Sequence, residues 1–227
     1  MVLKEIYCGR KELIYEFYLT LYKKFGTQKW WPAQSRFEII IGAILTQNTS
    51  WNNAKKAIEN LKRNRLLKPE KMFSLDIEKL KQFIQPAGFF NQKATTIKNF
   101  VMFLFSTYKG NIPSMLNEDM YILREKLLQI KGIGKETADS IILYACEKPV
   151  FVVDKYTRRI FFRHKIINDE NVKYEQLQEI IQASIPTSVK IYNEYHALLV
   201  RTGKNWCKKI ARCDTCPLNK YLLRENV

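Results

Sequence analysis

Residues 127–139 read LLQIKGIGKETAD and are the most informative part of the chain. The pattern predicts an apolar helix that ends at Gly132, a turn through Gly134, and a second helix that begins at about Lys135. Glycine permits positive φ and close approach of the backbone to another molecule. The free amides at the start of the second helix, its dipole and the Lys135 charge together suit a phosphate group. We interpret the segment as a helix-hairpin-helix that holds a nucleic-acid backbone through Gly132, Gly134 and Lys135.

The alternative is an ordinary helix corner, in which glycine only ends a helix. Charge favours the phosphate site, because 38 Lys and Arg against 22 Asp and Glu give a net charge of +16 over 227 residues. Such an excess points to a polyanionic partner, although a lysine-rich solvated surface gives the same composition. Apolar residues make up 46% of the chain and aromatic residues 13%, which is enough for a packed core and excludes a wholly disordered basic tail protein.

Membrane insertion and secretion are not expected. The longest apolar stretches, 39–45 and 101–105, are far shorter than the roughly 18 residues of a spanning helix. Charged residues interrupt positions 1–10, which lack the pattern of a signal peptide. We therefore expect a cytoplasmic, nucleoid-associated protein.

Apolar residues recur at steps of three and four along nearly the whole chain, for example at Leu13, Phe17, Leu21 and Phe25. This periodicity predicts an all-α protein of roughly ten helices with short connections. Only Val150–Val153 resembles a strand.

That strand-like run ends at Asp154, which is followed by the helical pattern from Lys155 onward. By itself, the carboxylate of Asp154 has a ready structural role as the N-cap of this helix. Taken alone, Asp154 is therefore interpreted as a helix cap.

Several segments occur together in one order: LTQNT at 45–49, GFFNQKA at 88–94, the hairpin, Val153-Asp154, and a C-terminal cysteine loop. In this combination the chain resembles the helix-hairpin-helix DNA glycosylase superfamily, and within it the endonuclease III family. The resemblance covers most of the chain. It implies that Asp154 is the catalytic carboxylate and that Gln47 or Asn48 fills the gap left by an extruded nucleotide. It also implies that Asn91 and Lys93 belong to the DNA-binding surface.

The implied chemistry is physically consistent with these residues. Cleavage of an N-glycosidic bond builds positive charge on the sugar, which a fixed carboxylate stabilises while it orients or deprotonates water. The target atom is out of reach inside a duplex, so the nucleotide must be flipped out. The protein therefore needs both a site that binds the DNA phosphates and a side chain that fills the space left by the flipped nucleotide.

One departure from the family concerns Glu136. In members that also cleave the strand, this position holds a lysine that attacks the sugar and forms a Schiff base. Lys135 is one residue earlier, roughly 100° away around a helix, and is expected to face phosphate. We therefore predict a glycosylase without lyase activity.

A second departure is Trp30-Trp31-Pro32, with Trp51 after the 45–49 segment. Aromatic faces attract cations at about 0.5 to 2 kcal/mol per contact, and N-alkylated purines are cationic. The tryptophans, GFFNQKA and the GIGKE run are similar to the small 3-methyladenine DNA glycosylases of this superfamily. We therefore assign a base pocket to Trp30, Trp31, Pro32, Trp51 and Glu136. Interdomain packing of the tryptophans is the alternative, and loss of base release with intact duplex binding in Trp31→Ala distinguishes the two.

The C-terminal loop is Cys207-x5-Cys213-x2-Cys216-Pro217. In the family, four cysteines of this loop hold a [4Fe-4S] cluster. Leu222 stands where the fourth is expected, so the loop either holds a cluster with an outside ligand, holds zinc, or only packs. No cofactor is required for the chemistry. The remaining cysteines, Cys8 and Cys146, are taken as structural.

The resemblance implies two helical domains with the active-site cleft between them. One is a six-helix domain at 37–147 that carries the hairpin, and the other combines 1–36 with 148–227. The expected activity is hydrolytic removal of an alkylated purine, of 3-methyladenine type, from damaged double-stranded DNA by a monomer. The alternatives are an endonuclease III-type glycosylase and abasic-site lyase acting on oxidised pyrimidines, and a non-catalytic DNA-binding protein.

Overall fold

The computed structural model describes residues 2–222, with side chains from residue 12 onward. Residues 223–227 of the expected second domain and the side chain of Cys8 therefore lie outside the described residues. The all-α fold predicted from the sequence is confirmed. The helices are α1 (Val2–Phe25), α2 (Arg36–Leu45), α3 (Trp51–Arg63), α4 (Pro69–Ser74), α5 (Ile77–Ile84), α6 (Phe90–Tyr108), α7 (Ile112–Asn117), α8 (Met120–Leu128), α9 (Lys135–Ser140), α10 (Lys155–Arg163), α11 (Tyr174–Gln182) and α12 (Val189–Asn205).

Local sequence explains where most of these helices begin. A Ser, Asn or Asp side chain accepts a hydrogen bond from a backbone amide of the first turn and so replaces a missing helical partner. The residues that act in this way are Ser35, Ser50, Asp76, Asn111, Asp119, Asp154 and Ser188. Two further short elements are 3₁₀ turns, at Gln85–Ala87 and Asn219–Tyr221, and α9 continues into a π-helical turn at Ile141–Ala145.

The chain divides into two compact units. The first, here called the inner unit, is Trp31–Lys148, and the second, the terminal unit, is Met1–Trp30 with Pro149–Val227. In the inner unit, every residue of Phe37–Leu45 is buried, because α3, α6, α9 and the π-helical turn pack around α2. The long apolar run of α2 thus has a structural cause, since a helix that is surrounded by others has no solvated face.

The terminal unit is built around α12, which packs against α1 and α10. Tyr195 of α12 is fully buried and donates a hydrogen bond to the Ile14 carbonyl of α1 at 2.8 Å. In the described part of the chain, no helix has both the length and the apolar content needed to cross a bilayer.

The strand expected at Val150–Val153 is not formed. The segment is buried and irregular, and no strand among residues 2–222 pairs with it. Side chains of α11 take the place of a sheet neighbour: Gln182 Oε1 accepts from the Phe151 amide at 2.8 Å, and Gln178 Nε2 donates to the Phe151 carbonyl at 2.7 Å. These bonds satisfy buried backbone groups that a sheet would otherwise satisfy. They hold the chain in a fixed form up to Asp154.

Candidate active site and nucleic-acid interface

Asp154 stands at the junction of this buried segment and α10. Only 6% of the residue is exposed. Its Oδ1 accepts hydrogen bonds from the Thr157 amide at 2.8 Å and the Thr157 hydroxyl at 2.9 Å. The predicted capping role is therefore present, and it orients the carboxylate. Capping and catalysis are compatible because the second oxygen, Oδ2, takes no part in the cap.

His196 and Lys204 of the terminal unit interact with Asp154, and Trp30 lies against both of them. His196 of α12 places Nε2 at 3.8 Å from Asp154 Oδ2. The Trp30 ring meets the His196 ring edge to face, with centroids 6.3 Å apart. Lys204, two turns after His196, holds its ammonium 6.0 Å from the centre of the Trp30 ring. Burial lowers the pKa of both His196 and Lys204, and the Asp154 carboxylate opposes that effect at each.

The predicted base-pocket residues fall into two groups. Trp30 belongs to the terminal unit, with Asp154, whereas Trp31, Pro32, Trp51 and Glu136 belong to the inner unit. Trp31 stacks on Tyr144 at 5.0 Å and meets Trp51 edge to face at 5.6 Å. Positive φ at Trp31 separates the orientations of the two adjacent tryptophans.

Packing against α2 explains the position of Trp31. A β-carbon added at Gly42 lies only 3.3 Å from the Trp31 indole, so the small residue makes room for the ring. Pro32 and Glu136 are exposed, and Trp51 is half-buried. Trp31 thus packs within the inner unit, on Tyr144, Trp51 and Gly42.

The hairpin has the geometry that its glycines suggest. Gly132 has φ +101°, and a β-carbon there lies 2.0 Å from Thr96 Oγ1, so no other residue fits without movement. Gly134 has nothing within 4 Å of its hypothetical β-carbon and precedes α9 as its N-cap. Lys135 is exposed at the first position of that helix. The open space at Gly134 leaves the amides that begin α9 accessible to a phosphate.

A buried ion pair fixes the two helices of the hairpin to each other. Arg124 of α8 donates to both carboxylate oxygens of Asp139 of α9, at 2.6 and 3.2 Å. Asp139 is fully buried, so this two-point contact holds the angle between the helices.

The loop between α2 and α3 is fastened to the hairpin. Gln47 Nε2 donates to the Gly132 carbonyl at 2.9 Å and to the Thr137 hydroxyl at 2.8 Å. Asn48 is exposed and has a left-handed backbone, with φ +49°. Entry of Gln47 into a duplex requires these two hydrogen bonds to break, whereas Asn48 already points from an exposed turn.

The two residues assigned to DNA in the 88–94 segment differ. Asn91 is exposed near the start of α6. Lys93 is 2% exposed, and its ammonium donates to the carbonyls of Leu45 and Ala87 at 2.9 and 2.8 Å. This placement does not fit the expected position of Lys93 on the DNA-binding surface. The side chain instead joins the end of α2 to the 3₁₀ turn before Gly88.

Sequence reasoning missed Phe89. This residue follows Gly88, has φ +47° and is 62% exposed. An apolar side chain on a strained, exposed turn costs free energy unless a partner covers it, and proteins that bind the minor groove insert such side chains between bases. The FF pair after a glycine is the signal in the sequence that could have identified it. His196 and Lys204 were also missed, because nothing near them in the sequence indicates that Asp154 is a neighbour.

The three cysteines of the C-terminal loop line one cavity of about 20 Å³ together with Leu218 and Leu222. Arginines of α10 hold this loop: Arg159 Nε donates to the Cys207 carbonyl at 2.6 Å, and Arg163 donates to the carbonyls of Lys208 and Lys209 at 2.6 and 3.1 Å.

The loop supplies three of the four thiolates that a [4Fe-4S] cluster takes, and Leu222 stands at the position expected for the fourth. Among the side chains of residues 12–222, no group of three or more His, Cys, Asp or Glu has a metal-binding arrangement.

The chain is similar to known proteins over most of its length. Residues 41–187 match the family model described as HhH-GPD superfamily base excision DNA repair protein. A candidate DNA repair glycosylase of Methanocaldococcus jannaschii is 49% identical over 214 residues, which are 93% of this chain and 96% of that protein. Endonuclease III of Escherichia coli K12 is 27% identical over 183 residues, which are 80% of this chain and 81% of that one.

Two solved structures are also similar. The 3-methyladenine DNA glycosylase of Helicobacter pylori, bound to 1,N6-ethenoadenine, matches with a TM-score of 0.71 and 29% identity, over 86% of this chain and 97% of that one. A non-covalent complex of endonuclease III with DNA matches with a TM-score of 0.80 and 21% identity, over 94% and 95% of the two chains. The second match concerns the fold alone.

Proposed function

The chain belongs to the HhH-GPD superfamily of base excision DNA repair proteins, and we propose that it hydrolyses the glycosidic bond of an alkylated purine in duplex DNA. DNA glycosylase activity and DNA as the partner follow from the family. The substrate class and the absence of strand cleavage are the parts proposed here. The observation that carries the proposal is Asp154, a buried carboxylate with one oxygen fixed by a helix cap and the other directed away from it.

The geometry suits an oxocarbenium-like transition state. Because Thr157 holds Oδ1 through two hydrogen bonds, the carboxylate does not need to reorganise as positive charge develops on the sugar. Burial makes this charge interaction stronger than it is in water. Oδ2 remains to orient an attacking water and take its proton.

The surroundings of Asp154 favour a base that leaves without protonation. A purine alkylated on a ring nitrogen carries positive charge, so it departs as a neutral base and needs no general acid. The chain has two histidines. His164 packs in the core against Phe17, and burial lowers the pKa of His196, so neither is suited to be a general acid. The similarity to the Helicobacter pylori 3-methyladenine glycosylase supports the same class.

We assign Trp30 the leading role in the base pocket, because it is the tryptophan that lies beside His196 and Lys204 near Asp154. Trp51, Pro32 and Glu136 remain proposed pocket residues, and Trp31 is proposed to support them through its stack on Tyr144. The Lys204 ammonium lies toward the Trp30 ring, so a cationic base stacks on the opposite face or displaces it.

Hydrolysis without strand cleavage is proposed because Glu136 occupies the position of the nucleophilic lysine. Lys204 is the lysine to test if this is wrong, since it interacts electrostatically with Asp154 and burial lowers its pKa. A lysine with such surroundings has more of the neutral amine that attacks an aldehyde.

The proposed grip on DNA uses exposed groups of the inner unit. We propose that Gly132, Gly134 and Lys135 hold a phosphate, that Asn48 or Gln47 fills the gap left by the flipped nucleotide, and that Asn91 contacts the backbone. Phe89 is proposed to enter the base stack, where it would help to expel the target. We also propose that a monomer acts, with domains at 37–147 and at 1–36 plus 148–227.

Base release from methylated and from oxidised duplex DNA tests this proposal. The wild type is expected to release 3-methyladenine, with strand breaks only after alkali. Asp154→Asn should lose release by about 100-fold or more, a size typical of a preorganised charge in an active site. Asp76→Asn, at the exposed cap of α5, is the matched control and should be fully active.

Two results would contradict the proposal. Release of oxidised pyrimidines with breaks before alkali, and trapping by borohydride, would indicate a lyase and direct attention to Lys204→Ala. Binding of duplex DNA without release of any base would indicate a non-catalytic protein.

A further inference from the structure

The two carboxylate oxygens of Asp154 have different surroundings. Oδ1 accepts two hydrogen bonds from Thr157 within the N-cap of α10. Oδ2 faces Nε2 of His196, at 3.8 Å. The α10 cap therefore holds one oxygen of this carboxylate, and α12 places an imidazole beside the other.

His196 is held firmly in its place. The residue is 6% exposed, and its ring meets Trp30 edge to face at an interplanar angle of 84°. The neighbours in α12, Tyr195 and Ala197, are also buried, so the helix cannot turn to move the imidazole away. A ring fixed in this way is suited to orient a partner.

The neighbouring carboxylate selects one tautomer of the neutral ring. With the proton on Nε2, an N–H faces the negative Oδ2, whereas the other tautomer turns a lone pair toward it. The separation of 3.8 Å exceeds the usual limit of roughly 3.5 Å for a hydrogen bond. Catalytic contacts of this kind are often long without substrate and shorten in the complex.

We propose that His196 is a positioning residue for Asp154, donating from Nε2 to Oδ2 so that the imidazole and the Thr157 cap together hold the carboxylate plane against the reacting sugar. The proposal rests on the glycosylase function proposed above. A neutral donor has an advantage here. It fixes the carboxylate but leaves its full negative charge to stabilise the transition state.

Protonation of His196 would remove that advantage, because an imidazolium beside Asp154 neutralises the charge that the reaction uses. The charged groups that act on His196 are Asp154, which favours the imidazolium, and Lys204, which disfavours it. Burial is the largest effect and lowers the pKa of His196. The neutral form therefore persists to more acidic pH than for an exposed histidine, and the rate should fall only below that point.

Single-turnover base release from methylated duplex DNA, measured against pH, tests the role in catalysis. His196→Phe keeps the ring volume and loses the donor, and it should lower the rate by about 10- to 100-fold, the size expected for one hydrogen bond to a charged group. Duplex affinity should not change. His196→Gln supplies an amide N–H that cannot titrate, so it should keep most of the rate. The fall of the rate at acidic pH should then begin at a lower pH than in the wild type.

The ring signals of His196 test the contact without any substrate. Only two histidines are present, so the spectrum of His196→Gln assigns the remaining signals to His164. Nitrogen shifts should show the Nε2–H tautomer in the wild type. Asp154→Asn should lower the pKa of His196 further, because it removes the carboxylate that favours the imidazolium.

Equal rates in all three proteins, or equal losses in His196→Phe and His196→Gln, would overturn the proposal. So would an Nδ1–H tautomer, or a pKa of His196 that does not respond to Asp154→Asn. If the wild type releases no base at all, the proposed function fails. The nitrogen shifts then still decide whether His196 holds Asp154.

Discussion

Asp154 combines two roles in one side chain, and two substitutions separate them. Asparagine keeps an oxygen that can accept from the Thr157 amide, so Asp154→Asn should preserve most of the cap. Asp154→Ala removes it and should lower the free energy of unfolding by about 1 kcal/mol more than Asp154→Asn does. Urea denaturation of both variants measures this difference. Neither variant should release base. Base release by Asp154→Asn would show that Asp154 has only a structural role.

Burial of Lys93 should make the free energy of unfolding increase with pH above about pH 8. Burial lowers the pKa of Lys93 to about 8 in the folded protein, against roughly 10.4 in an unfolded chain. Between these values the unfolded chain binds more protons, so the free energy of unfolding rises with pH. Below about pH 8 both states are protonated and this contribution is flat.

Lys93→Met should remove the rise. The difference in unfolding free energy between wild type and Lys93→Met is expected to grow by up to about 3 kcal/mol from pH 8 to 10.5, because one pKa unit corresponds to about 1.4 kcal/mol. Denaturation across this pH range, with the exposed Lys71→Met as control, measures it. If the unfolding free energies of wild type and Lys93→Met change with pH in the same way, the pKa of Lys93 is not lowered by burial.

At the level of elements, the hairpin offers a matched pair of substitutions. Gly132→Ala forces a β-carbon into Thr96 at a positive φ, so it should destabilise the protein by several kcal/mol, at least about 2. Gly134→Ala meets nothing within 4 Å, so stability should change little. Its methyl group covers the amides that begin α9, and duplex affinity should fall. Calorimetry measures the stability of both variants, and a duplex-binding assay measures their affinity for DNA. If Gly134→Ala is folded and binds duplex DNA as well as the wild type, the hairpin does not bind phosphate at this point.

The C-terminal loop gives a second prediction for an element. Arg163 donates to the exposed carbonyls of Lys208 and Lys209, so Arg163→Met should lower the free energy of unfolding by about 1 kcal/mol, because water replaces the lost donor at each carbonyl. A chelator should leave the melting temperature of the wild type unchanged, because the arginines hold the loop. Iron or zinc measured in stoichiometric amount, with a lower melting temperature after its removal, would show that a metal holds it instead.

For the whole molecule, the net charge of +16 predicts steeply salt-dependent binding to duplex DNA. Lys135→Ala should weaken affinity and reduce the slope of log K against log salt by about 1, because one phosphate contact is lost. Lys71→Ala, on a helix that supplies no proposed DNA contact, should leave the slope unchanged. Equal slopes for both variants would mean that Lys135 contributes only general charge.

Local sequence patterns predicted much of this protein. The all-α fold, the hairpin around Gly132 and Gly134, and the helix start at Asp154 each depend on residues within one or two turns of one another. Caps, glycine turns and helical periodicity act over that distance, and they act before any tertiary contact forms. Val150–Val153 was misjudged because side chains of α11, and no second strand, satisfy its backbone.

The helical architecture, the family and the candidate Asp154 could therefore be predicted from residue patterns alone. Three features required the folded protein: Lys93 is buried, Trp30 and Trp31 belong to different units, and His196 faces Asp154. Burial and side-chain contacts depend on which helices pack together, and residue patterns report only on near neighbours along the chain. His196 and Asp154 are 42 positions apart in the chain, and no local pattern encodes that they are neighbours.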